Sequence, residues 1–282
     1  MKTLNTYINE KLVLNKGTFK RPIHKYKYFP KNRDELKEII LKLINEHDNI
    51  KNVLDLNSID ISGIEDLSEL FHSIFTDNTG IKYYVNKIDI SKWDVSNVTN
   101  MYRLFAMCDG LKSVGDLSSW DISEVKNISY MFYKCQDLEN IGDLSSWNTK
   151  SVKSLCRMFY GCKNLKFIGD LSDWNISNVT DLGLWGMFEN CSELESVGNL
   201  DNWDVSNITT MAHMFCNCWK LQSIGDISKW NVSNVGIFSC MFYKCQSLTD
   251  IGDLSSWNIY PKADMQSMFT ASDIKNLPDW YK

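Results

Sequence analysis

No run of apolar residues in this 282-residue chain approaches the roughly 20 needed to cross a bilayer, so no membrane-spanning helix is expected. The opening stretch, Met1-Lys2-Thr3-Leu4-Asn5-Thr6-Tyr7-Ile8-Asn9-Glu10, has neither an apolar leader core nor a lipidation cysteine. A secretory signal is therefore not expected, which points to the cytoplasm, with a virion or cell surface as the alternative. Histidine is scarce, at four residues, and none falls in a recognisable Cys–His or Ser–His arrangement. G-x-S-x-G, H-E-x-x-H, the Walker loop and G-x-G-x-x-G are all missing. Without a nucleophile–base pair or a phosphate cradle, the chain is expected not to be an enzyme and to need no cofactor. A surplus of positive charge is lacking as well. The net charge of −5 gives no general case for nucleic acid.

What is present is distributed unevenly. Residues 1–50 hold eleven Lys/Arg against six Asp/Glu, a balance of +5 that leaves −10 on the remainder. The hydrophobic fraction of 44% suits a folded chain with a buried core. Nine cysteines are an odd number, and most recur at one position of a repeat. Reduced, buried thiols in an intracellular protein are expected, and no disulfide framework.

Tryptophan marks that repeat. Trp93, Trp120, Trp147, Trp174, Trp203, Trp230 and Trp257 are separated by 27, 27, 27, 29, 27 and 27 residues. Phe105, Phe132, Phe159, Phe188, Phe215, Phe242 and Phe269 follow in step. Three residues later come Cys108, Cys135, Cys162, Cys191, Cys218 and Cys245, with Ser272 in the last copy. One unit reads W-[DN]-x-S-x-V-x-x-φ-x-x-M-F-x-x-C-x-x-L-x-x-[IV]-G-[DN]-[LI]-S-x. Val125, Ile128, Met131, Phe132 and Cys135 fall within an arc of roughly 120° at 3.6 residues per turn, which predicts a short helix in each unit. Ser96, Ser123, Ser177, Ser206 and Ser233 stand where they would cap it. Leu138, Ile141 and Leu144, with Gly142-Asp143 between the last two, predict a short strand and a turn.

A helix–turn–strand unit this small cannot bury its apolar stripe alone, so the units must stack. The expected fold is α/β: a right-handed leucine-rich-repeat solenoid of about eight turns of ~27 residues, with an N-terminal helical cap. Residues 33–47 form an amphipathic helix with Leu36, Ile39, Ile40, Leu43 and Ile44 on its apolar face. Residues 1–52 thus read as an arm and capping helix, and 53–282 as the solenoid, closed by Pro278-Asp279-Trp280-Tyr281. A degenerate unit over 59–71 has Ile59 in the tryptophan slot. The extra stretch 72–92, containing Tyr83-Tyr84, reads as a loop or short hairpin.

The unit W-D-V-S-N-V-T-N-M-Y-R-L-F at 93–105, with M-F-Y-K-C-Q-D-L-E-N-I-G-D-L-S-S-W at 131–147, resembles BspA-like leucine-rich repeats. Specifically, it is similar to their Trp/Met-Phe variety, a domain of unknown function common in bacterial surface lipoproteins. The likeness spans about residues 56–270. It implies a leucine-rich-repeat solenoid with adhesion or protein binding, and brings no catalytic residues. The opening M-K-T-L-N-T-Y-I-N-E-K-L-V-L-N-K resembles the start of uncharacterised proteins from bacteriophages of gut bacteria.

Four constellations invite chemistry. Asp116, Asp143, Asp170, Asp226 and Asp253 form a row that reads as turn caps rather than calcium ligands, because Asn199 keeps the capping ability without the charge. His213, Cys216 and Cys218 spell H-x-x-C-x-C, yet Cys218 is the repeat cysteine and no second ligand pair follows, so no metal is expected. Cys156, Cys216 and Cys240, off the cysteine column, read as small helix residues. The basic, aromatic stretch Lys20–Lys31 reads as an arm lying on the acidic body.

Aromatic residues at variable positions carry the functional expectation. Tyr133, Lys134, Tyr160, Phe167, Trp185, Trp219, Tyr243 and Lys244 are the candidate partner-binding residues, because Tyr and Trp anchor interfaces whereas a solvated face has no need of them. The two-residue insertion at Leu182-Gly183-Leu184-Trp185-Gly186-Met187 suggests a bulge that pushes Trp185 out of line. The expected function is a non-enzymatic scaffold binding a protein partner, with neither nucleic acid nor membrane favoured. The alternatives are an adhesin for host-cell protein or glycan and a phage-encoded inhibitor of a host protein.

Overall fold

The computed structural model describes residues 26–46, 52–76, 85–180 and 182–281. Residues Lys20–Lys25 of the basic stretch and the Tyr83-Tyr84 pair lie outside them. Helix α1, Arg33–Asn45, starts at Asn32, whose side chain accepts the Glu35 N–H. Leu36, Ile40 and Ile44, one turn apart, are its buried stripe. Arg33 ties it to the repeats by donating to the Ser68 carbonyl and hydroxyl, both at 2.9 Å. Just before the helix, Tyr28 pairs in parallel with Ile59.

From there the chain stacks unit on unit. Strand β1 (Leu54–Asp55) pairs in parallel with β2 (Ile88–Asp89). The same register continues as single parallel bridges, Lys87 to Ser113 to Asn140 on one side and Asp66 to Asn100 to Asn127 to Ser154 on another. Inside the stack the side chains form columns. The rings of Phe71, Phe105, Phe132, Phe159, Phe188, Phe215, Phe242 and Phe269 lie face to face with centroids 5.0–5.8 Å apart. At the end of the chain, Trp280 stacks on Trp257 at 6.2 Å and Tyr281 stands edge-on to Phe269 at 4.8 Å.

Two more columns are hydrogen-bonded across units. The indole Nε1 of Trp120, Trp147, Trp174, Trp203, Trp230 and Trp257 donates to the carbonyl of Ile90, Leu117, Leu144, Leu171, Leu200 and Ile227 of the preceding unit, at 2.9–3.3 Å. The thiols of Cys135, Cys162, Cys191, Cys218 and Cys245 do the same to the carbonyls of Phe105, Phe132, Phe159, Phe188 and Phe215, at 2.9–3.1 Å. A buried indole N–H needs an acceptor, and a buried thiol is satisfied as a weak donor. Burial pushes the Cys135, Cys162, Cys191, Cys218 and Cys245 thiols well up, which keeps them protonated and able to donate.

The helix expected in every unit is not formed. Among the described residues the only α-helices are α1 and α2, Leu70–Thr76, the latter occupying the start of the stretch expected to be a loop or hairpin. Around Met131-Phe132, alternate N–H groups do different work. Those of Tyr130, Phe132 and Lys134 donate to the next unit, at Cys156, Met158 and Tyr160. Those of Met131, Tyr133 and Cys135 close tight turns onto Ile128, Tyr130 and Phe132. Tyr130 and Lys134 have φ of 59° and 58°, a left-handed conformation that no α-helix continues through. Turning every three residues buries Val125, Ile128, Met131, Phe132 and Cys135 as fully as a helix would. A spacing of 3, 6, 7 and 10 therefore cannot separate stacked turns from helix.

Short polar side chains favour the turns. In one unit Asn140, Asp143 and Asn148 accept, through Oδ1, the N–H groups of Gly142, Ser145 and Lys150, and Ser154 accepts that of Cys156 through Oγ. Each bond reaches two residues ahead, the geometry by which Asn, Asp and Ser compete with helix. The serines expected to cap helices are thus on the other end of the bond: Ser123 and Ser206 donate their N–H to Asp121 and Asp204. The aspartate row likewise caps turns, with Asp116, Asp143, Asp170, Asp226 and Asp253 each accepting an N–H two residues on.

The left-handed slot gives a stability prediction. Met107, at φ 58° and 42% exposed, occupies the position that Gly161 fills two units on. Met107→Gly relieves about 1–2 kcal/mol of backbone strain against about 0.4–1 kcal/mol of added unfolded-state entropy. A small net stabilisation is expected in urea unfolding, where a glycine inside a helix would destabilise.

Candidate interaction face

The slots that leave the core beside the Met-Phe pair make one side of the stack. In successive units they present Tyr102 and Arg103, then Tyr130, Tyr133 and Lys134, then Arg157 and Tyr160, then Trp185 and Glu189, all half-buried. The rings meet across units, Tyr102 to Tyr130 at 5.9 Å and Tyr133 stacked on Tyr160 at 4.9 Å, and within one unit, Tyr130 to Tyr133 at 5.3 Å. Cations lie over them. Arg103 covers Tyr102 and Tyr130 at 5.1 and 5.4 Å, Lys134 covers Tyr133 at 5.3 Å, and Arg157 covers Tyr160 at 5.1 Å and Trp185 at 4.0 Å. Such contacts are worth about 0.5–2 kcal/mol each, which holds the side chains in place beforehand. Burial, followed by the adjoining Cys156, raises the Tyr130 hydroxyl above its ordinary value, and burial does the same to Tyr160.

Of the candidate residues, Tyr133, Lys134, Tyr160 and Trp185 belong to this cluster. Tyr243 and Lys244 repeat the ring-and-cation pair further along the same side, at 5.1 Å. Phe167 and Trp219 do not join it. They are 56% and 50% exposed, in line with Asn140 of the preceding unit and just beyond the cysteine column respectively. Trp185 is not pushed out of line. Its carbonyl accepts the Arg157 N–H as Ser129 accepts that of Arg103, so it holds a regular slot. The two extra residues are taken up earlier, where Gly183 turns back onto Thr180. Tyr102, Tyr130, Arg103 and Arg157 are additions that a unit-by-unit reading passes over. Aligning the units and reading down each slot brings them out.

The same alignment groups the polar residues. Glu189 and Cys216 occupy one slot in successive units, and His213 and Cys240 another. The ligand atoms of Glu189, His213 and Cys216 lie within 4.8 Å of one another. Cys218 is not with them, because it stands in the core donating to Phe188. The off-column cysteines are not helix residues either: Cys156 and Cys216 face this side from tight turns. Burial, then the charge of Glu189, then Cys240, pushes the Cys216 thiol up to about 12.

No curated protein matches the chain. Two solved structures resemble it, both bacterial leucine-rich-repeat proteins at 15% identity. The one from Eubacterium ventriosum aligns over 79% of this chain and 84% of its own, with a TM-score of 0.25. The one from Bacteroides ovatus aligns over 68% of this chain and 59% of its own, with a TM-score of 0.22. The family described as "Mycoplasma protein of unknown function, DUF285" matches residues 41–166 and 183–280. With that match over most of its length, the chain belongs to the DUF285 family.

Proposed function

We propose that this chain is a non-enzymatic scaffold that binds a protein partner through the side bearing Tyr102, Arg103, Tyr130, Tyr133, Arg157 and Trp185. The observation that carries it is the continuous run of half-exposed rings, each overlaid by a cation, across four successive units. Core packing accounts for the Trp, Phe and Cys columns inside, but it has no need of this second, outer set of rings. Tyr, Trp and Arg are the residues that dominate binding energy at protein interfaces. Arg103, Lys134, Arg157 and Lys244 outnumber Glu69 and Glu189 on this side, so an acidic partner segment fits best. The reading includes a right-handed solenoid of about eight turns, with residues 1–52 as arm and cap and 53–282 as the stack.

The test pairs two variants. A Tyr133→Ala/Arg157→Ala/Tyr160→Ala chain should keep the parent's circular dichroism and lose partner capture by at least about 100-fold, since each anchor contributes more than about 1 kcal/mol. A Phe167→Ala/Trp219→Ala chain should capture the partner normally. Binding should weaken as salt rises. Capture that survives the first variant and fails in the second would move the interface elsewhere.

A further inference from the structure

Between the ring cluster and the Tyr243–Lys244 pair, the same side changes character from aromatic to ligating. Glu189 projects from one unit, and His213 and Cys216 project from the next. The last two are held together because the Cys216 N–H closes a tight turn onto the His213 carbonyl at 3.2 Å. His213 sits at φ 59° in that turn, which sends its imidazole to the side where Glu189 stands. The Glu189 Oε1 to His213 Nδ1 distance is 3.5 Å.

Three features separate this group from a chance gathering of polar surface residues. Glu189 Oε2 and His213 Nδ1 are buried from solvent without a hydrogen-bond partner. Buried polar atoms are ordinarily paired, and an unpartnered carboxylate oxygen, with the other oxygen of the same carboxylate 3.5 Å from a ring nitrogen that makes no hydrogen bond, suits a cation. Cys216 is 4% exposed, yet its thiol does not share the column cysteines' role of donating to the carbonyl of the preceding phenylalanine. And the neighbouring slot holds Gly186, where an added Cβ would stand only 3.0 Å from Glu189 Oε2. The missing side chain leaves room beside that oxygen that the Arg157 side chain shares, its Cγ 3.3 Å and its Nε 3.6 Å from the same point.

We propose that Glu189, His213 and Cys216 form a three-ligand site for a borderline divalent cation, zinc foremost, set across two stacked units. One thiolate, one imidazole and one carboxylate are a donor set that zinc accepts, with a fourth position left for water. Calcium and magnesium, which demand oxygen ligands, do not fit it. Tetrahedral zinc, with bonds of about 2.0–2.3 Å, holds its ligand atoms about 3.3–3.8 Å apart. The group spans 4.8 Å, so the side chains must close by about 1 Å, a rotamer-scale movement. Two cations border the group: Arg157, which lies over Trp185 with its Nε beside Gly186, and Lys244, which lies over Tyr243 and acts on Cys216.

Zinc chloride titrated into the metal-stripped full chain should bind one ion per chain, survive gel filtration and raise the melting temperature. Cobalt(II) in its place should show the near-ultraviolet charge-transfer band of a thiolate ligand. His213→Ala and Glu189→Gln should lower zinc affinity by at least about 10–100-fold while the metal-free chain keeps the parent's circular dichroism. Cys216→Ser should abolish the cobalt band, and Cys240→Ser should retain it. Zinc that washes off the parent, or binds His213→Ala as tightly as the parent, overturns the assignment. So does a cobalt band that persists in Cys216→Ser.

Discussion

Trp147→Ala is expected to cost about 3–5 kcal/mol of unfolding free energy, the range for removing a large aromatic side chain from a packed core. Trp147 is 2% exposed and stacks on Trp174 at 6.1 Å with the planes 6° apart. Stability in a stack of repeats is close to a sum of unit and neighbour terms, and this one residue contributes to both of its interfaces. Trp147→Phe separates the causes. It keeps most of the buried ring but removes the Nε1–H donated to the Leu117 carbonyl at 3.0 Å. That carbonyl still accepts the Trp120 backbone N–H, so the loss attributable to the hydrogen bond should be near 1 kcal/mol. Urea unfolding of the three proteins measures both differences. If Trp147→Ala unfolds at the parent's midpoint, the tryptophan column does not hold the units together.

The second large effect is expected at glycine. Gly169 has φ +97°, and a Cβ there would fall on the Asp143 carboxylate and lie 2.9 Å from both the Leu144 and Ser145 nitrogens. Those nitrogens cannot retreat, since Leu144 donates to Ile168 and Ser145 to Asp143. Gly169→Ala should therefore cost about 1–3 kcal/mol from backbone strain alone, with the contact adding to it. Gly63→Ala is the control. Nothing stands within 4 Å of its Cβ position and its φ is ordinary, so its effect should stay within about 0.5 kcal/mol. Equal effects at the two sites would mean that units do not approach at the Gly-Asp turn.

Much of the interior could be read from the chain alone. A 27-residue phase shared by tryptophan, phenylalanine and cysteine has one economical explanation, which is like side chains stacking on like, and each column is found buried. Helix α1 was legible for a similar reason, since Leu36, Ile40 and Ile44 recur at the helical period. The local conformation of each unit was not legible. Tyr130 and Lys134 adopt positive φ without being glycine or asparagine, so nothing in their identity announces a left-handed turn. The neighbouring units impose it, because only that conformation lets alternate N–H groups reach the next unit.

The outer side divides in the same way. Tyr133, Lys134, Tyr160 and Trp185 stood out as aromatics or cations at variable positions, but neither their mutual stacking nor the part played by Arg103 and Arg157 could be seen within any one unit. Glu189 meets His213 and Cys216 only because two units stack in register, and the H-x-x-C-x-C spelling, which joins His213 and Cys216 to the core-facing Cys218, does not contain it. Sequence by itself determined which side chains are buried together, because burial follows from apolar character repeated at a constant interval. Tertiary structure alone decided the backbone's turns and the pairing of polar groups between units, because both depend on hydrogen bonds to the neighbouring unit, 24 or more positions away.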